Sequence, residues 1–93
     1  AHYCSPPGDT LRYEEGDCVK VDIGVHVDGY VADTALTVDL SRDGRWQGLI
    51  RASADALAAA IATVADGVPV GEIGAAIERT IMKAGYQPVR NLT

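Results

Sequence analysis

Positive charge is scarce in this sequence: eight Lys and Arg stand against thirteen Asp and Glu, a net charge of −5. The basic residues are scattered, so no patch exists to neutralise phosphates, and non-specific nucleic-acid binding is not expected. Long apolar runs are missing too. Nothing approaches the roughly 18 consecutive apolar residues that suggest a transmembrane helix, so no membrane partner is expected. No charged-then-apolar leader opens the chain, and no signal peptide is expected. Cysteine is limited to Cys4 and Cys18, neither in a CxxC pair, which removes the usual zinc-site spacing. One disulfide and two free thiols are both open on that count; the redox-compartment argument favours free thiols and a cytoplasmic location. Aromatic residues are few, and phenylalanine is absent. What remains is a soluble globular composition, 47% apolar and 23% charged, in 93 residues that suffice for one small domain and not for two.

Turn-forming residues divide the chain. Ser5, Pro6, Pro7, Gly8 and Asp9 mark an opening loop, and Glu14-Glu15-Gly16-Asp17 a second turn. Val, Ile and Thr then alternate through Cys18–Val25 and Tyr30–Leu40, two expected strands. Between them Asp28-Gly29 is the strongest short hairpin signal, because both central residues of a type I′ turn need positive φ. After a polar turn at 41–44, Trp46, Ile50, Leu57, Ile61 and Val64 fall at helical spacing, predicting a helix over Trp46–Ala65 with alanine filling its remainder. Gly67 sits at an expected helix C′ position and Pro69 prevents continuation. A second helix is expected from about Gly71 to Ala84, striped by Ile73, Ile77 and Ile81 and ended by Gly85. A short strand is expected around Pro88. The order hairpin, helix, helix, strand defines a single α/β (α+β) unit over residues 1–93, without repeats.

A two-residue Asp28-Gly29 loop sets the hairpin register. Val27 pairs with Tyr30, Val25 with Ala32, Gly24 with Asp33 and Asp22 with Ala35, and opposed residues share a face. One face then carries Val19, Val21, Ile23, Val25, Ala32, Thr34, Leu36 and Val38, and should lie on a core. The other carries Lys20, Asp22, Gly24, His26, Val31, Asp33, Ala35 and Thr37. Asp22 and Asp33 are therefore diagonal neighbours, with backbones roughly 7–8 Å apart. A register slip of one residue would bury charge on the core side. Two ionised carboxylates at ~4 Å and an effective dielectric of ~20 repel by about 4 kcal/mol, so a cation, a shared proton or solvent must offset them. Hard oxygen ligands suit a divalent metal. Spacing alone equally fits two acids on a wet outer face, where charged residues usually lie.

The run from Lys20 to Val38, with its Val-Asp-Ile-Gly-Val-His-Val-Asp-Gly-Tyr-Val-Ala-Asp-Thr-Ala core, resembles the metal-binding hairpin of methionine aminopeptidases. Three further segments resemble the type II, archaeal and eukaryotic, branch. Ala1-His-Tyr-Cys-Ser-Pro6 is similar to its Ala-His-Tyr-Thr-Pro segment, Gly8-Asp9-Thr10 follows in the usual place, and Pro88-Val-Arg-Asn-Leu-Thr93 is similar to the strand leading into a Gly-His pair. The type I branch usually has His-Gly-Ile-Pro where His2 stands. The resemblance covers essentially the whole chain and implies a partial pita-bread fold, the first half of a metallopeptidase domain. It implies a site of two divalent metals, cobalt, manganese, iron or zinc, held by two Asp, one His and two Glu. Matched by motif, Asp22 ligates one metal and Asp33 bridges both, while His2 contacts the substrate near the scissile amide. The metals would activate water at neutral pH and polarise the scissile carbonyl. The implied reaction removes the initiator Met from nascent polypeptides near the ribosome, by a protein that is monomeric at full length and needs no nucleic acid. The chain stops before the expected Gly-His pair and both Glu, so these residues alone are not expected to catalyse.

Other residues carry milder expectations. His26, on the aspartate face, is expected to support the site without ligating. Asp28 is a turn residue, Asp39 a solvated one at a strand end, Trp46 a core anchor at a helix start, and Cys4 a neutral replacement for Thr. An uncovered apolar patch is expected, because half a sheet leaves its face without a partner. Two other readings compete: a non-catalytic pita-bread protein of the proliferation-associated, RNA- or ribosome-binding kind, and another peptidase of the fold, such as a proline dipeptidase. Both aspartates and the acidic charge disfavour the first, and the segment around His2 the second.

Overall fold

The computed structural model describes residues 4–90; His2 lies outside them. The elements are β1 (Cys18–Val27), β2 (Tyr30–Asp39), α1 (Gln47–Thr63) and α2 (Val70–Lys83). The chain divides into two compact units, Ala1–Gly44 and Arg45–Thr93.

In the first unit β1 and β2 form an antiparallel hairpin whose register runs from Val27↔Tyr30 to Cys18↔Asp39. Every pairing expected from the Asp28-Gly29 loop is present. Asp28 adopts φ 51° and Gly29 φ 84°, the left-handed conformation that a type I′ turn requires. A β-branched residue at Gly29 is strained there whatever the surrounding space. Gly29→Val should destabilise the protein by about 1–2 kcal/mol, read from its denaturant midpoint. The ladder continues beyond the strands: Leu40 N donates to Asp17 O at 2.9 Å and Gly16 N to Leu40 O at 3.1 Å. Asp17 closes its own turn by accepting from Glu14 N at 2.9 Å. Arg42 bridges the two sides of this end through Glu15 at 2.8 Å. The opening loop is organised by Asp9, which accepts from Ser5 Oγ at 2.7 Å and from Leu11 N at 2.9 Å.

The face expected to meet a core is not buried. Ile23 is 51% exposed and Leu36 67%, with Val21, Val25 and Val38 also open. A two-stranded sheet has no second layer of its own, so these residues form the uncovered apolar face that the sequence suggested.

In the second unit α1 packs against α2. The apolar stripe expected on α1 is not the buried one. Leu57, Ile61 and Val64 are more than 60% exposed, whereas Ala52, Ala56 and Ala60 are buried, together with Ala76 of α2. Alanines on successive turns allow close helix approach, and on α1 these small residues are the most deeply buried. The Ile73, Ile77 and Ile81 stripe of α2 is half-buried, on the side expected. Trp46 forms the N-cap position of α1 and is half-buried, consistent with an anchoring role. The helix ends at Thr63, earlier than expected, because Val64 turns to extended backbone. Gly67 is therefore not its C′ residue. It lies in the Ala65–Val68 turn, where Val68 N donates to Ala65 O at 3.2 Å and Gly67 takes φ 80°. The end of α2 is as expected: Gly85 has φ 84° and Tyr86 N reaches back to Ile81 O at 3.2 Å, the longer bond of a Schellman closure. A Cβ at Gly48 would lie 2.9 Å from the Tyr86 hydroxyl, so this glycine admits the Tyr86 ring end against α1. The short strand expected around Pro88 is not formed over 86–90, since an extended segment becomes a strand only beside a pairing neighbour.

Candidate metal centre

The hairpin register places Asp22 opposite Ala35 and Asp33 opposite Gly24, so both carboxylates leave the same face from diagonal positions. This is the juxtaposition expected from the sequence. Small partners keep the space between them open: a Cβ at Gly24 would meet nothing within 4 Å. The same face carries Lys20 and His26 on β1 and Val31, Thr37 and Asp39 on β2.

Asp22 already engages a cation. Lys20 Nζ stands 2.6 Å from its Oδ2, with the two side chains 54% and 40% exposed. The strand explains the contact, since residues two apart on β1 project to one side. Sequence reasoning put Lys20 on this face and gave it no part; its spacing of two from Asp22 was the available signal. Asp39 departs from the expected solvated end residue. It is half-buried, and one carboxylate oxygen accepts from both the backbone N and the Oγ of Ser41, fixing the exit of β2. His26 is exposed beside the hairpin tip.

The chemistry of the donors fits a hard divalent cation: two carboxylates, an open space between them, and a side that already attracts positive charge. They are a partial set. Among the described residues no three His, Cys, Asp or Glu side chains gather as a metal site. A depression of this unit, about 260 Å³, is lined by Ser5, Asp9, Leu11 and Tyr13 and does not include either aspartate. For the chemistry, the aspartate pair is the better guide, because a shallow hollow between loop side chains has no convergent ligands. Cys4 and Cys18 are both exposed free thiols, and among the described residues neither belongs to a metal cluster. No helix among the described residues is long and apolar enough to cross a membrane.

The profile of Metallopeptidase family M24 matches residues 1–93. The chain is 51% identical over its whole length to the methionine aminopeptidase of Methanothermobacter thermautotrophicus, of which it covers 31%. It is 48% identical over 99% of its length to the methionine aminopeptidase of Saccharolobus solfataricus, covering 30%, and 44% identical over its whole length to that of Methanocaldococcus jannaschii, covering 31%. The chain thus spans about a third of the length of these curated relatives.

Proposed function

The chain belongs to metallopeptidase family M24, whose fold is the pita-bread arrangement, and from that premise we propose that it is part of a methionine aminopeptidase that removes the initiator Met from nascent polypeptides. The observation that carries the reading is the placement of Asp22 and Asp33 at diagonal positions on one face of a hairpin. The identity of 44–51% to archaeal methionine aminopeptidases, spread over the whole chain, supports it further. Both units, Ala1–Gly44 and Arg45–Thr93, are then the first part of one catalytic domain. The cytoplasm, where nascent chains emerge, is the location that fits.

In this reading Asp22 and Asp33 would be the carboxylates that hold divalent metal. Metal held there supplies Lewis acidity, which polarises a carbonyl and lowers the pKa of water. The protein's own residues do the positioning. The hairpin ladder fixes the two carboxylates relative to each other, and the small Gly24 and Ala35 keep the space between them clear. His2 would hold the substrate by a hydrogen bond close to the scissile amide. The remaining ligands that the resemblance implies, one His and two Glu, would be supplied by the rest of a protein of the relatives' length.

The test is an assay of that longer protein on a peptide beginning Met-Ala-Ser. Free methionine should appear, the activity should vanish on chelation, and Mn²⁺ or Co²⁺ should restore it. Activity indifferent to chelation, or cleavage of an Xaa-Pro dipeptide with no methionine released from the Met-Ala-Ser peptide, would remove the reading.

A further inference from the structure

We propose that Lys20 is a built-in counter-cation of the aspartate pair, one that metal must displace, so that this lysine lowers the affinity of the site for divalent ions. The proposal rests on the reading of Asp22 and Asp33 as metal-holding carboxylates. Its observation is the ion pair between Lys20 Nζ and Asp22 Oδ2 at 2.6 Å. Both residues lie on β1 and face the same way, so the contact follows from the strand and needs no special loop geometry.

The physical argument is competition for one oxygen. A divalent ion held by Oδ2, or by both oxygens of Asp22, would stand a few ångströms from the ammonium, and two positive charges at that distance repel. The lysine must therefore leave when metal arrives. It can do so at small cost, because the pair is about half exposed and exposed pairs hold weakly. The flexible four-carbon stem lets the ammonium turn away. A place to turn to exists on the same face. Lys20 pairs with Thr37, which puts Asp39 diagonal to it on the side away from Asp22. The Asp39 carboxylate is held in place by Ser41. Lys20 thus stands between two anions, one of which the metal claims.

The opposite role, a lysine that orients Asp22 for metal, predicts the opposite sign, and direction decides between them. The experiment uses the longer protein, stripped by chelation and titrated with Mn²⁺ by calorimetry, as wild type, Lys20→Met, Lys20→Arg and Asp22→Asn. Lys20→Met should tighten Mn²⁺ binding roughly threefold to tenfold, the scale of one exposed ion pair plus residual repulsion. Lys20→Arg keeps the charge and should stay within about twofold of wild type. The Lys20 side-chain nitrogen resonance, assigned by its loss in Lys20→Arg, should shift when Zn²⁺ is added; a merely structural lysine would leave it unmoved. Unchanged or weaker Mn²⁺ binding in Lys20→Met, with binding lost in Asp22→Asn, overturns the counter-cation proposal and leaves the ligand assignment standing. Undiminished binding in Asp22→Asn overturns both.

Discussion

Asp33→Ala in the longer protein should lower kcat/KM on a Met-Ala-Ser peptide by about a thousandfold or more. As the metal-holding carboxylate of the proposed reading, Asp33 would be a ligand whose loss removes the electrostatic stabilisation that metal gives the transition state. Several kcal/mol are at stake, and every ~1.4 kcal/mol is tenfold in rate. Asp28→Asn is the internal control. Asp28 carries the same charge only a few residues along the hairpin, but it serves the turn, at φ 51°. Asn tolerates that conformation as well, so kcat/KM should stay within about twofold of wild type. A metal role for charge in general would move both variants; a ligand role moves only Asp33. Steady-state kinetics at saturating Mn²⁺ distinguish them, and wild-type activity in Asp33→Ala would end the ligand assignment.

The second large effect belongs to the helix pair. Ala56 is only 3% exposed, in the middle of the buried alanine row of α1. A leucine there has no cavity to fill and must push α2 away or adopt a strained rotamer. Ala56→Leu should destabilise the longer protein by about 1–3 kcal/mol. Ala54→Leu, on the exposed side of α1 roughly half a helical turn away, should stay within roughly 0.5 kcal/mol. Denaturant midpoints measured in parallel give the comparison. Equal effects at the two positions would mean that the alanine row is not the packing surface.

These two sites also mark what the sequence disclosed and what it concealed. The hairpin was legible to the single pairing, because a two-residue Asp-Gly turn permits few registers and the alternation of Val and Ile with polar residues admits only one. The aspartate pair followed from that register, and the metal role proposed for it comes from the resemblance of the surrounding run. The burial of α1 was not legible. Hydrophobic periodicity gives most weight to large side chains, and it selected Leu57, Ile61 and Val64, which are open within their own unit. The alanines that do the packing read as helix-forming filler, since alanine signals propensity and small size equally. The helix end at Thr63 was missed for a related reason: Gly67 looked like a helix terminator and is instead the left-handed residue of a separate turn. Lys20 was placed correctly and left without a role, because alternation reports which face a residue occupies and is silent on which neighbour it touches.

Anomalous diffraction from crystals of the longer protein grown with Mn²⁺ is the most direct test of the aspartate pair as a metal centre. The assignment predicts manganese peaks bound at about 2.2 Å by oxygens of both Asp22 and Asp33, with Asp33 reaching two ions and the Lys20 ammonium withdrawn from Asp22. Manganese bound elsewhere, with Asp22 still paired to Lys20 and Asp33 facing water, would contradict it.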